Sequence, residues 1–268
     1  MNIELDDLKK IKKLSFDVDT FNSGGYIYQY NDDILYKIVS LYFFCDEVER
    51  NIDFQIKNPI IHTPFIYDKL YINHDFVGYS MENIKNSFTF KKAISMEIDS
   101  DICMNVILNI YEVIRYLHDR NILLGDIHMD NFLIDNKGNG YVIDLDCILY
   151  PGDEYKFQDL YGIRLNHSSN RINVNSKKTD NIKAMICCLS LLLGIDLERL
   201  NINHHEIDME SVYNFYIKSL GSVWLDDYFS LIMNGEDVLY FDEFLVQHYG
   251  DFLNSNKFYM KRKDFKKR

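Results

Sequence analysis

Residues 122–146, ILLGDIHMDNFLIDNKGNGYVIDLD, constrain what this chain can fold into more than any other stretch. Short apolar runs alternate there with polar loops, and each run has strand length rather than helix length. Asp126 stands five residues before Asn131, and Asp144 follows Asn131 by thirteen. A carboxylate, an amide and a second carboxylate therefore ride on loops at the ends of short strands, with a short hairpin between the last two. Asp and Asn also serve as plain turn residues that cap strands. Three such residues, in order and at this separation, point instead to a built site.

The pattern around this stretch changes once along the chain. The first third reads as strands. Residues 26–30 and Ile34–Val39 flank Asn31-Asp32-Asp33, and residues 65–72 and 76–81 flank Asn73-His74-Asp75, giving two hairpin signals. Between the hairpins, residues 41–57 place Phe44, Val48, Ile52 and Ile56 four apart, which is one apolar stripe on a helix. After about residue 85 the pattern is mostly helical. Residues 101–120 carry Val106, Ile110, Val113 and Leu117 on one face, with Asp at the start and Arg at the end, as the helix dipole favours. An irregular segment is expected to about residue 178, then helices at about 180–195, 209–220, 222–234 and 241–254. The whole is an α+β design in one domain over residues 1–268. An antiparallel sheet with one helix spans about residues 1–84, a mainly helical lobe about 85–256, and a basic tail 257–268.

Composition narrows the function classes. A chain of 268 residues, 47% hydrophobic, can bury a real core. A net charge of −12 argues against a specific nucleic-acid binder, because phosphate neutralisation needs basic surface. The end of the tail, KRKDFKKR, carries +5 and leaves the body at about −17. It reads as a solvated terminus, with contact to an anionic surface or partner as the alternative. The five cysteines form no metal-ligand spacing and no even disulfide set, which suits a reducing cytoplasm. The N-terminus MNIELDDLKK has no apolar signal core, and the longest apolar run, residues 184–195, is too short to span a bilayer. A cytoplasmic protein with no membrane span is expected.

Lys37 lies in Ile34-Leu35-Tyr36-Lys37-Ile38-Val39, on the inner side of an apolar strand. An ammonium there must find an anion, because burying it unpaired is costly. With this lysine upstream of the aspartate–asparagine–aspartate set, the chain resembles the protein-kinase-like superfamily over about residues 20–250. The resemblance implies a two-lobed fold and transfer of the γ-phosphoryl group of ATP with Mg²⁺ as cofactor. By that likeness Asp126 receives or orients the proton of the acceptor hydroxyl, and Asn131 and Asp144 hold magnesium against the phosphates. Lys37 contacts the phosphates and pairs with a helix glutamate, Glu49 or else Glu47. Ser23-Gly24-Gly25-Tyr26 stands where a phosphate-covering loop belongs, so Gly24 and Gly25 are assigned to the nucleotide. Gly78-Tyr79-Ser80-Met81-Glu82-Asn83-Ile84 resembles the hinge, where the backbone of Glu82 and Ile84 bonds adenine and Met81 lines the pocket. Asp180, which opens an apolar helix ending at Gly194, resembles the aspartate that anchors the catalytic loop from below. Residues 221–235 look like a late helix of protein kinases.

Several positions depart from that pattern. Gly125 precedes Asp126 where regulated protein kinases carry arginine, so phosphorylation-gated activation through this site is not expected. His128 stands where a phosphate-contacting lysine is usual, and Gly-Asp-x-His also resembles aminoglycoside and choline phosphotransferases. Asp144-Leu145-Asp146 replaces Asp-Phe-Gly, and segment 147–179 is expected to hold the acceptor surface. Three readings follow. The first is an atypical serine/threonine or tyrosine protein kinase. The second is a kinase for a small-molecule hydroxyl, and the third is a pseudokinase scaffold.

Overall fold

The computed structural model describes residues 1–3, 8, 10–14, 25–39, 45–96, 98–153, 164–167, 170–172, 175–197, 206–214, 223–234 and 239–254. Gly24, Phe44 and the basic tail lie outside the described residues.

The first part of the chain forms a five-stranded antiparallel sheet. It is built from β1 (Lys12–Lys13), β2 (Gly25–Gln29), β3 (Ile34–Val39), β4 (Ile66–Ile72) and β5 (Asp75–Glu82), in spatial order β1-β2-β3-β5-β4. Both expected hairpins are present, and turn chemistry explains them. Asn31 Oδ1 accepts from the N–H groups of Asp33 and Ile34, both at 2.8 Å, so the side chain itself closes the β2–β3 turn. Asn73 and His74 take φ of 51° and 75°, a left-handed pair whose twist matches that of the flanking strands.

Helix α1 (Cys45–Lys57) packs on this sheet. Val48 and Ile52 from its apolar stripe are buried against Val39, Ile66, Phe76 and Tyr79, and Ile56 packs at the edge of the same cluster. A helix whose apolar positions recur every four residues can bury only one face, and here that face meets the sheet.

After β5 come a short strand β6 (Phe88–Thr89), a single turn α2 (Phe90–Ala93) and the long helix α3 (Ser100–His118). Asp99 caps α3 by accepting from the Asp101 N–H at 2.8 Å. The face formed by Val106, Ile110, Val113 and Leu117 is fully buried. Strands β7 (Phe132–Ile134) and β8 (Gly140–Val142) form the expected hairpin, and β6 joins its edge.

One expectation is corrected here. The segment before residue 178 is not wholly irregular. β9 (Arg164–His167) and β10 (Asn170–Ile172) form a small antiparallel pair, and β11 (Glu206–Asp208) joins β9 in parallel. Three or four residues carry too little alternation to read as strands, and the partner β11 lies far along the chain.

Helix α4 (Lys177–Leu193) is the centre of the remaining core. Ser176 and Thr179 form a reciprocal capping box at its start, and Gly194 closes it with φ 64°. From Ile182 to Leu193 its apolar side chains are at most 6% exposed, Cys187 and Cys188 among them. Helix α5 (Met209–Val212), α6 (Val223–Asn234) and α7 (Phe241–Asn254) follow; Met209, Val212, Leu225, Tyr228, Ile232, Phe241 and Leu245 join the same core. No helix among the described residues is long and apolar enough to cross a membrane.

Candidate functional site

The loop carrying Asp126 is fixed from two sides. Leu123 and Leu149 exchange both backbone hydrogen bonds, each 2.9 Å. From beneath, the fully buried Asp180 of α4 accepts the Leu124 N–H at 2.7 Å and lies 3.1 Å from His118 Nε2. A carboxylate can only accept, so Nε2 is the donor to Asp180, and Nδ1 lies 2.9 Å from the Tyr240 hydroxyl. Lys183, one turn further along α4, donates to the Gly125 carbonyl at 3.2 Å.

Gly125 is the centre of a three-residue turn closed by the Asp126 N–H on the Leu124 carbonyl at 2.9 Å. Its φ is +75°, and an added Cβ would stand 3.1 Å from the Leu149 side chain and 3.2 Å from the Cys147 carbonyl. Arginine cannot take this position without strain and displacement, which gives the departure at residue 125 a backbone cause. Gly125→Ala is expected to lower stability by about 1–3 kcal/mol in urea unfolding, through left-handed strain and the close contacts of the added Cβ. An unchanged midpoint would refute that account.

Asp126 itself is nearly buried. Its Oδ2 lies 3.3 Å from Asn131 Nδ2 and 3.6 Å from His128 Nε2, whereas Oδ1 has no hydrogen-bond partner among the described residues. Burial pushes this carboxyl up, but His128, Lys183 and the Asn131 amide more than offset it, so the group stays below the ordinary carboxylate range. An ionised carboxylate with one unsatisfied buried oxygen is poised to accept a proton or a hydroxyl hydrogen bond.

Asn131 closes a 3₁₀ turn (Met129–Asn131) and also donates to the Asp126 carbonyl at 3.1 Å. Its amide nitrogen is committed to Asp126, so its carbonyl oxygen is the end turned to other partners. The β7–β8 hairpin then carries the chain back. Asp135 Oδ1 accepts the N–H groups of Lys137 and Asn139 at 2.9 and 2.8 Å, closing the turn. The Ile143 N–H donates to the Asn131 carbonyl at 2.9 Å, which brings Asp144 back beside Asn131.

Asp144 sits at φ 61°, ψ 42°, a left-handed conformation uncommon for a residue with a side chain. Its Oδ1 is 2.9 Å from Lys37 Nζ, and Oδ2 of Asp146 is 2.7 Å from the same nitrogen. Lys37 is only 5% exposed. Burial works against its charge, but the two carboxylates hold it well above the usual lysine range, so it remains an ammonium. Burial and the like charge of Asp146 push Asp144 up more than Lys37 pulls it down. Cys147, next in the chain, is raised well above the thiol range by burial and by Asp146, so it stays protonated.

The glutamate assignment is corrected. Glu49 Oε1 binds Lys69 Nζ at 2.8 Å and the Tyr71 hydroxyl at 2.7 Å, both on β4, whereas the carboxylates that meet Lys37 among the described residues are those of Asp144 and Asp146. Asp53, one turn on, also binds Lys69, at 2.9 Å. Residues two apart on a helix point about 200° away from each other. Glu49 therefore faces β4 while Asn51 faces the segment after Asp144. Asn51 Nδ2 donates to the carbonyls of Asp146 and Ile148 at 2.8 and 2.9 Å, and Gln55 Nε2 donates to Leu145 at 3.1 Å. Asn51, Gln55 and Lys183 were not singled out from sequence, and Asp146 was noted there only as a departure from Asp-Phe-Gly. The rule that a buried charge needs a partner, applied to Lys183 inside an apolar helix as it was to Lys37, would have found one of them.

Gly25 lies in β2, paired with Val39, where a Cβ would come 2.3 Å from the Ile38 carbonyl. Close strand approach explains that glycine. Met81 packs at the edge of the α1–sheet cluster, and Glu82 ends β5 with its N–H on the Phe65 carbonyl at 2.8 Å. Ile84 accepts the Ser87 hydroxyl at 2.6 Å, and its own N–H has no acceptor among the described residues.

The donors here suit a hard cation. Asp144 keeps about a third of its side chain exposed (35%), and Asn131, whose backbone carbonyl takes the Ile143 N–H, carries an amide oxygen. Among the described residues no three His, Cys, Asp or Glu side chains are arranged to hold a metal by themselves. A cation at this place would take its remaining ligands from phosphate and water. No protein-family model matches the chain, and no curated protein is significantly similar to it.

Proposed function

We propose that this chain is an ATP- and Mg²⁺-dependent phosphotransferase acting on a hydroxyl group, with a two-lobed kinase-like architecture. The observation that carries the reading is the convergence of four residues from three chain segments. Lys37 from β3 meets Asp144 at 2.9 Å, and Asp144 is tied through Ile143 to Asn131, whose amide in turn reaches Asp126 at 3.3 Å. A set of turn residues serving only to cap strands has no need for a buried lysine among them, nor for an aspartate with an orphaned oxygen.

In this reading Asp126 accepts or orients the acceptor's proton through its free Oδ1. Lys37 holds the phosphates, and Asn131 and Asp144 are the residues that would hold magnesium. When bound, the metal neutralises negative charge on the phosphates during transfer. The Ile84 N–H and the backbone of Glu82 offer an edge for adenine. The remainder is geometry: an in-line arrangement needs reacting atoms held within a few ångströms, and the anchored loop supplies that.

A protein serine, threonine or tyrosine is the acceptor we favour, on the likeness of the late helix α6. A small-molecule hydroxyl is the second reading, favoured by His128 beside Asp126 and by the turn that excludes arginine at residue 125. Radiolabelled ATP, incubated with the protein alone and with lysate, tests both. Label on protein supports the first reading and label only in small metabolites the second. The scaffold reading gains if Mg-ATP gives neither transfer nor a rise in Tm, because a ligand bound to the native state must stabilise it.

A further inference from the structure

Lys37 is held by a residue that the likeness to kinases leaves without a role. Two carboxylates reach its ammonium, and they differ in exposure: the Asp144 side chain is 35% exposed and that of Asp146 only 6%. Asp144 is therefore the member able to serve another partner, while Asp146 is committed to the interior. Its Oδ2 lies 2.7 Å from Lys37 Nζ and also accepts the Tyr79 hydroxyl at 3.3 Å, so three buried polar groups satisfy one another. The backbone on both sides of Asp146 is clamped to helix α1 by the amides of Asn51 and Gln55, which take the carbonyls of Leu145, Asp146 and Ile148. Arg50, beside Asn51, extends the same dock. It binds Asp153 at 2.7 Å and lies over the Tyr150 ring, 4.3 Å from its centroid.

We infer that Asp146, held by helix α1 through Asn51 and Gln55, is the positioning residue for Lys37, in place of a helix-borne glutamate. The helix acts through the backbone it binds. It fixes the strand-end segment, and that segment supplies the counter-ion. Nucleotide affinity then depends on a buried Lys37–Asp146 pair, and Glu49 belongs to a separate cluster with Lys69 and Tyr71 that braces α1 on β4. The inference rests on the phosphotransfer reading for its functional part, but the pairing is a property of the chain alone.

Two measurements on the full chain test it. Urea unfolding of Lys37→Met, Asp146→Asn and the double variant forms one thermodynamic cycle, and Glu49→Gln replaces Asp146→Asn in a second. Lys37→Met leaves the buried Asp146 without its cation, and Asp146→Asn leaves the buried Lys37 with Asp144 alone, so the double variant is expected to be more stable than their sum by about tenfold or more in the unfolding constant. The Lys37/Glu49 cycle is expected to be additive. Binding of Mg-ATP, followed by calorimetry, is expected to weaken about tenfold or more in Asp146→Asn and to stay within about twofold in Glu49→Gln. Additivity of Lys37 and Asp146 overturns the inference. So does a coupled pair whose Asp146→Asn variant binds Mg-ATP like the wild type, or a Glu49→Gln variant weakened as much as Asp146→Asn. If the unmodified chain binds no Mg-ATP, the phosphotransfer reading fails, and the first cycle alone then decides the pairing.

Discussion

Asp126→Ala is expected to slow phosphate transfer by about 10²–10⁴-fold with little change in stability or in Mg-ATP affinity. The reason is local. Asp126 Oδ1 is buried without a hydrogen-bond partner among the described residues, so removing the carboxylate removes a group whose bonding there is incomplete. The Oδ2 contacts it gives up, to Asn131 at 3.3 Å and His128 at 3.6 Å, are long and weak. Asp144→Ala is expected to abolish transfer to a similar degree by a different route. It removes the carboxylate proposed to hold magnesium and one of the two counter-ions of Lys37, so metal and nucleotide affinity are expected to fall with it. Comparison of the two variants separates acceptor activation from nucleotide holding: the first should change the turnover rate at saturating ATP, the second also the ATP concentration required. Full transfer in both purified variants would sink the phosphotransfer assignment.

The largest effect on stability is expected at Asp180. Its Oδ2 takes the Leu124 N–H at 2.7 Å and bonds His118 Nε2 at 3.1 Å, all three groups being buried. Asp180→Ala orphans a backbone N–H and an imidazole N–H in the core, and hydrogen bonds to a charged acceptor each contribute about 1.5–3 kcal/mol. A loss of about 3–5 kcal/mol follows, or roughly 10 °C in Tm for a chain of this size. Asp180→Asn keeps one acceptor oxygen and is expected to cost much less. Transfer activity should fall in the alanine variant even below its Tm, because the loop carrying Asp126 loses the bond beneath it. An alanine variant within about 1 kcal/mol of the wild type would show that the loop is held by the Leu123–Leu149 pair instead.

The elements were largely legible in advance because their signals are local. The Asn31 and Asn73 turns, the four-residue stripe on α1 and the buried face of α3 each declare themselves within a dozen residues. The Asp180 helix was legible for the same reason: its cap and its apolar run are contiguous. The small β9–β10–β11 sheet was not, since its pairing joins distant short segments with little alternation.

At the site, the sequence by itself determined the identity and order of Lys37, Asp126, Asn131 and Asp144, because chemistry fixes residue type and loops fix spacing. Only the tertiary structure decided which of them meet and through what. Whether Glu49 or Asp146 serves Lys37 turns on how α1 is rotated against the sheet, and a rotation of about 100° per residue is invisible in a list of acidic positions. Burial of the Val48 and Ile52 stripe sets that rotation. With that face on the sheet, Glu49 is carried to Lys69 and Asn51 to the carbonyls beside Asp146. The lysine then takes the anion that packing leaves within reach.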